Sequence, residues 1–386
     1  MTTLIAWTQL RRLRPSPAVL ILGAFVLIGV IVALIRYAFG IGAISNLNNS
    51  YSWGIWISFD LLCGVALGAG AFTMAAIVYI LDLKEFRPIL RPSILTGFLG
   101  YAMVIVALLV DLGRPERIWH MMIYQNGHSV LLEVGVCVML YTTVLALEFL
   151  PVLLERTAWD RPLHILHAIT LPLVILGVVL STLHQSSLGS LFLIMPAKLH
   201  PLWYSPLLPV FFFLTAVSVG LAMVILESSA SARAFHWGLE LQLLSRLARA
   251  IPFVLGLYLV LRLGDLAAGG KLGLLLPNQP LAVLLWVELI AGAAIPIVLF
   301  SRRAVRQSPK GLLIGALLII GGVMLNRFDV SLLAQQHLGG LGYLPSLGEV
   351  AISFGIVSGG ILAFAFVAKF FPLFGDEELR PVAVDP

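Results

Sequence analysis

Ten stretches of about twenty apolar residues succeed one another along this chain, at 17–39, 53–81, 92–111, 129–150, 164–184, 205–228, 247–266, 281–300, 311–327 and 346–371. A helix rising 1.5 Å per residue crosses a hydrocarbon layer of about 30 Å in roughly twenty residues. The stretches are too long for barrel strands of about ten residues and show no period-two alternation. Backbone in lipid must satisfy its own hydrogen bonds, so each stretch reads as a helix. The pattern predicts an all-α integral membrane protein with about ten transmembrane helices.

Composition agrees with that pattern. Of 386 residues, 60% are hydrophobic and 11% charged, with a mean hydropathy of +1.02. No soluble domain carries that balance. The first span follows Arg11, Arg12 and Arg14 but is too long for a signal-peptide core of about 7–15 residues, and reads as a retained helix. Most of the 24 Lys and Arg residues fall at the N-terminus, in the alternate loops near 82–91, 151–163, 229–249 and 301–310, and in the C-terminal segment. The positive-inside rule then makes both termini cytoplasmic, in a bacterial or archaeal cytoplasmic membrane. The net charge of +5 reflects that basic rim and gives no reason to expect nucleic acid. No soluble block of about 100 residues is present to form a catalytic domain, so residues 1–386 read as a single membrane domain that is non-catalytic alone.

The few acids inside the spans gather toward one face. Asp60, Glu133, Glu288 and Glu349 each lie a turn or two from the outer end of a span. A charge inside the membrane costs about 3 kcal/mol or more, which makes such residues rare and usually functional. In the second span Trp53, Trp56, Asp60 and Cys63 share one face at helical spacing. Glu133 opens the fourth span and His184 closes the fifth, followed by Gln185 and Ser186, with Ser186 to Pro196 apolar enough to dip back into the membrane. Asp111 and Arg114 follow the third span and either pair at its end or join a pocket with these groups. The end of the third span, Leu109 to Arg114, is echoed at the end of the seventh, Leu259 to Asp265. This faint parallel repeat suggests two four-helix bundles, at 53–184 and 205–327, flanked by helices 17–39 and 346–371. In the second copy Arg262, Asp265, Glu288, Arg327 and Asp329 form either a buried ion-pair network or a proton path. Glu148 and Glu227, near the inner ends of their spans, read as interfacial or as the inner mouth of such a path.

A titratable histidine beside desolvated carboxylates suits two-electron, two-proton exchange with a quinone, whose carbonyl oxygens need donors and a proton supply. Haem is not expected: the eight histidines lie mostly in loops or at helix ends, and His164 with His167 cannot clamp one iron from opposite sides. Cys63 and Cys137 form no C-x-x-C, so the chain cannot hold an iron–sulfur cluster by itself and needs no metal.

Several segments carry a resemblance. Tyr51 to Asp60, Asp111-Leu112-Gly113-Arg114, Ala146 to Phe149 and above all His184-Gln185-Ser186-Ser187-Leu188-Gly189-Ser190-Leu191 resemble the NrfD-type, polysulfide-reductase membrane subunits. Within that family the chain is most similar to the HybB branch, named for the membrane subunit of an uptake nickel–iron hydrogenase. The likeness extends through His200 to Trp203, Arg262, Asp265 and Trp286-x-Glu288. It implies a haem-free subunit reacting with menaquinone or ubiquinone near the outer face. Electrons would pass through an extracytoplasmic iron–sulfur subunit of the four-cluster ferredoxin type. The remote partner would be the small and large subunits of a NiFe hydrogenase, or the catalytic subunit of a sulfur-compound or molybdopterin oxidoreductase. His184, Gln185, Ser186, Trp53, Trp56, Asp60 and Arg114 would contact quinone. Asp60, Asp111, Glu133, Glu148, Glu227, Arg262, Asp265, Glu288 and Arg327 would relay protons, with proton translocation permitted by the fold. An ion-coupled secondary transporter is the competing reading, against which stands the placement of the acids near one surface rather than at mid-membrane.

Overall fold

The computed structural model describes residues 16–155, 159–235, 238–276, 280–335 and 343–374. Ten helices among them are long and apolar enough to cross a membrane: α1 Pro17–Phe39, α2 Trp56–Ile80, α3 Lys84–Asp111, α4 Val130–Leu154, α5 Thr170–Leu193, α6 Leu208–Phe235, α7 Leu241–Ala268, α8 Pro280–Ser301, α9 Pro309–Leu333 and α10 Leu347–Phe370. No strand occurs among the described residues beyond one isolated bridge between Leu199 and Gln335. The fold is therefore an all-α, multi-pass integral membrane protein. The side of the molecule carrying Pro17 and Phe370 is termed here the termini side, and the opposite one the far side.

Local chemistry sets the helix ends. Ser16 caps α1 ahead of Pro17, whose fixed φ and missing N–H suit the first helical position. Ser346 and Glu349 form a reciprocal capping box at the start of α10, satisfying two otherwise orphaned amides. At the far end of α3 the buried Arg36 of α1 donates from Nε to the Val110 carbonyl at 2.8 Å and from Nη2 to the Leu112 carbonyl. A cation there also opposes the negative end of the α3 dipole.

α2 and α6 are buried over most of their length, whereas α1 is almost wholly lipid-facing. Small residues let the two central helices meet: a Cβ on Gly220 of α6 would lie 2.7 Å from the Gly70 nitrogen of α2. With no hydrophobic drive between helices in lipid, such close backbone approach is a main source of association. α4 packs on α3 and α5, α6 bridges α5 and α9, and α7 to α9 close around α6. α1 and α10 pack along each other, and α10 also lies against α3.

Four segments are π-helical: Trp56–Cys63 and Ala76–Ile80 in α2, Ile290–Ala294 in α8, and Asp329–Leu333 in α9. Such wide turns are uncommon and concentrate at functional sites. Two of them contain or begin with a buried aspartate, Asp60 and Asp329.

α5 departs from the sequence expectation. It runs on to Leu193, so His184 does not close the helix and Ser186 to Pro196 does not form a re-entrant segment. Instead Ser187 and Ser190 return their hydroxyls to the carbonyls of Leu183 and Ser186 within the helix. Glu227 is likewise not interfacial. α6 continues two turns beyond it to Phe235, and the side chain is buried.

Candidate functional site

The polar side chains inside α2 to α5 form several separate contacts rather than the single pocket expected from sequence. The deepest is centred on His184. Its ring is fully buried, and its Nδ1 lies 2.8 Å from the Tyr101 hydroxyl of α3. Tyr101 in turn makes an edge contact with Tyr141 of α4, ring centres 4.8 Å apart. Ser181, one turn before His184, faces both tyrosines. Next to His184, the buried Gln185 donates from Nε2 to the Val65 carbonyl of α2 at 3.1 Å. Two polar atoms of this group have no hydrogen-bond partner: His184 Nε2 and Gln185 Oε1.

Unmet buried polar atoms of this kind mark strain or a ligand position, because each costs about 1–3 kcal/mol when desolvated and unpaired. A tyrosine hydroxyl that donates to Nδ1 leaves the imidazole proton on Nε2, a free donor. Gln185 Oε1 is a free acceptor beside it. Together they could hold a carbonyl or hydroxyl group within the bundle.

A second polar point lies toward α10. Ser353 donates to Asp60 Oδ2 at 2.5 Å, while Asp60 Oδ1 has no partner. Trp56, one turn nearer the far side, is fully buried with its Nε1 also unpartnered. Trp56 packs against Val110 of α3 and Ile352 of α10. Trp53 does not share that face: it precedes the helix and sets its ring edge-on to Phe192 of α5, 5.3 Å between centres. The wide π turn over Trp56–Cys63 and the non-helical start at Trp53 break the three-and-four spacing on which the shared face depended.

The remaining residues disperse. Glu133 stands at an exposed edge of α4, where Ser187 donates to it. Arg114 lies exposed in the turn after α3, apart from the buried set, and Ser186 is only half-buried. Toward the termini side, Thr96 donates to Glu227 at 2.5 Å, and Glu148 Oε1 is buried without a partner.

In α6 to α9 most polar groups find partners, although Arg262 Nη1, Asp265 Oδ2 and Arg327 Nε are buried without a hydrogen bond. Glu288 accepts from Trp203 Nε1 at 3.1 Å, Tyr258 Oη at 2.8 Å and Asn326 Nδ2 at 3.0 Å. Arg327, fully buried, donates to Asn326 Oδ1 at 2.6 Å, to Thr215 Oγ1 at 2.9 Å and to the Phe212 carbonyl at 3.1 Å, with its guanidinium over the Phe212 ring. Asp265 accepts from Ser205 at 2.7 Å and pairs at longer range with Arg262 and Lys271. Asp329 departs from this pattern: both its oxygens are buried and lack hydrogen-bond partners. Glu133 and Glu288, matched by the repeat, thus sit in different surroundings, the first exposed and the second buried.

Outside the spans, burial pushes His200 below the ordinary histidine range. Burial and its hydrogen bond to Glu349 raise Tyr343 above the usual phenol range.

Sequence reasoning missed Tyr101, Tyr141, Ser353, Tyr258 and Asn326. A tyrosine or asparagine alone in an apolar span is the signal that could have found them, since a buried O–H or amide needs a partner.

Comparison with known proteins joins this geometry to a lineage. A family model described as polysulphide reductase, NrfD, matches residues 43–339. The chain belongs to the NrfD family. Among its relatives, a protein of Nitratidesulfovibrio vulgaris is 40% identical over 369 residues, covering 93% of this chain and 94% of that one. A probable Ni/Fe-hydrogenase 2 b-type cytochrome subunit of Escherichia coli is 34% identical over 363 residues, with 93% and 92% coverage. The menaquinone reductase integral membrane subunit of N. vulgaris is 28% identical over 374 residues, with 88% and 87% coverage. In this NrfD chain, the His184 cluster and the Glu288 network lie within the matched segment, whereas α1 and α10 lie outside it.

The word cytochrome in one relative's name raises the question of haem. The described residues offer no axial pair for it. Among the described histidines only His184 is buried; His128, His164 and His167 are exposed. No second described histidine faces it across the bundle to complete an axial pair. His236 and His337 lie outside the described residues.

Proposed function

We propose that this chain is the haem-free, quinone-reactive membrane subunit of a respiratory oxidoreductase complex. In this reading the far side is extracytoplasmic, both termini are cytoplasmic, and the membrane is the cytoplasmic membrane of a bacterium or archaeon. Electrons pass between an extracytoplasmic iron–sulfur subunit of the four-cluster ferredoxin type and menaquinone or ubiquinone. A NiFe hydrogenase is the favoured catalytic partner, in keeping with the Escherichia coli relative. A quinone site is in keeping with the menaquinone reductase relative.

The observation that carries the reading is the buried, half-satisfied set around His184. A bound quinone supplies a two-electron, two-proton couple. The residues of this chain would bind and protonate it. His184 Nε2 offers a donor to a carbonyl oxygen, held in orientation by the Tyr101 hydroxyl on the opposite ring nitrogen. Gln185, tied to the α2 backbone, fixes the neighbouring acceptor in place. Tyr141 and Ser181 extend the polar lining on the termini side of the ring, and the apolar walls of α2 to α5 exclude water. Asp60 supplies or accepts a proton nearer the far side, with Ser353 orienting its carboxyl. Glu148 and the Thr96–Glu227 pair are the groups through which protons would reach the interior from the termini side. An iron–sulfur partner is required in this reading because Cys63 and Cys137 are separate buried thiols, and the chain has no other sulfur donors of that kind.

The test is quinone-linked electron transfer by the assembled complex carrying His184→Ala or Asp60→Asn. The expected result is a loss of about a hundredfold or more for His184→Ala, the scale of one positioned acid–base group. Full turnover in both variants, with the complex intact, contradicts the assignment.

A further inference from the structure

The helices outside the family-matched segment build a feature that the quinone reading does not itself explain. α1 and α10 each pack closely, and α10 also lies on α3, so α10 forms the floor between α1 and α3. The cleft so formed has a volume of about 320 Å³, within the range of roughly 300–1,000 Å³ common for ligand sites. Every residue lining it is apolar or glycine. Gly359 of α10 leaves the floor low, since a Cβ there meets only Val26 at 3.9 Å, whereas Gly355 and Gly360 let Gly29 of α1 and Met103 of α3 pack close. Val30 and Val106 on its rims are each about half exposed, at 51% and 49%, so the cleft opens sideways to lipid.

The cleft runs from mid-membrane to the far end of α3 and stops at Val110 and Ile352. Those two residues form one buried cluster with Trp56. Its Nε1 is a buried donor without a partner, and one turn deeper Asp60 Oδ1 is a buried acceptor without one. Ser353, which orients Asp60, is next in sequence to Ile352 of the lining. An apolar trough with an unmatched donor and acceptor packed behind its end wall of Val110 and Ile352 is complementary to an amphiphile with a small hydrogen-bonding head and a long hydrocarbon tail. A phospholipid fits less well, because its large ionic head belongs at the membrane surface.

We infer that the cleft between α1 and α3, floored by α10, is the tail-binding channel through which an isoprenoid quinone enters and is held, its head guided past Trp56 and Asp60. The inference rests on the quinone reading above and adds the route and the part played by the two flanking helices. Because lipid and cleft are both apolar, the tail is held by close packing against the three helices, contacts that a tail-less quinone lacks.

Photolabelling of the full chain in nanodiscs tests it. One probe is a naphthoquinone with a prenyl tail and a diazirine at the far end of that tail; a second carries the photoreactive group on the quinone ring; a third is diazirine phosphatidylcholine. The tail probe is expected to label peptides of α1, α3 and α10 around Val30, Val106 and Gly359, and unlabelled tailed quinone should suppress this labelling. Gly359→Leu fills open space, since a Cβ there meets only Val26 at 3.9 Å. It should reduce tail labelling about tenfold. Gly321→Leu, on an open surface of α9, should leave it unchanged. Tail labelling spread elsewhere, with ring labelling still confined near Asp60 or His184, overturns the channel and leaves the quinone reading standing. Labelling of the cleft by phosphatidylcholine that quinone does not suppress makes it an acyl-chain site and also overturns the channel. Absence of specific labelling by either quinone probe overturns both.

Discussion

The interiors of α2 to α5 and of α6 to α9 are built from similar residue types but differ in how far their central polar groups, His184 and Glu288, are satisfied. Around Glu288 three donors converge on one carboxylate, and Arg327 is tied to Asn326, Thr215 and a backbone carbonyl. Around His184 the count of partners falls short, leaving Nε2 and the Gln185 oxygen unmatched. Buried polar groups that satisfy each other hold helices in register, while those that do not are poised for something else. The difference teaches that a buried charge in a membrane helix is not by itself a functional mark. The informative quantity is how many of its hydrogen bonds remain open. Asp329, with both oxygens open, and the unpartnered Arg262 Nη1, Asp265 Oδ2 and Arg327 Nε qualify the contrast, since they show that the second half is not wholly closed.

This comparison can be broken at several points. The largest effect is expected from Glu288→Ala, which strands the donors of Trp203, Tyr258 and Asn326 in a dry interior. It should destabilise the protein by on the order of 3 kcal/mol or more, read as a lower thermal midpoint or failed assembly in detergent. A variant as stable as the parent would remove the structural role of the second half. His184→Ala should do the reverse. It should change stability by only about 1 kcal/mol, because one of its two ring nitrogens is unpartnered, while quinone-linked turnover collapses. Tyr101→Phe removes the group that orients the ring and should cost about tenfold in turnover with little change in stability; an unaltered rate would show that the tautomer of His184 is set elsewhere. The smallest effect is expected from Thr96→Val, which deletes the hydroxyl donating to Glu227 and should cost about 1 kcal/mol without altering quinone affinity.

Much of the fold was legible in the sequence, because hydrophobic length is a strong signal and lipid leaves few backbone solutions. The α1 span agrees at both ends with the stretch 17–39. The far end of α5 was misjudged for a physical reason. Gln185-Ser186-Ser187-Leu188-Gly189-Ser190 has the composition of a turn, yet its serines return hydrogen bonds to the helix. Gly189 is there for contact, since a Cβ at that position would lie 2.6 Å from the Leu208 carbonyl oxygen.

The site was legible in part. His184 and Gln185 stood out as polar residues in an apolar run, and they do lie together. Trp53 and Trp56 seemed to share a face with Asp60 because ordinary helical spacing was assumed, and the π turn sends them to different neighbours. Tyr101 and Tyr141 passed as aromatic filling, and no periodicity reveals that they meet His184. Ser353 is separated from Asp60 by almost the entire chain, so their contact follows only from the return of α10.

The most direct test of the central claim is to purify the subunit, extract and quantify its bound quinone, and record the visible spectrum of the same sample. The account predicts menaquinone or ubiquinone in near-stoichiometric amount and no haem Soret band, with the quinone lost in His184→Ala. A Soret band would contradict the reading of the histidines, and a sample holding neither quinone nor haem would contradict the quinone site itself.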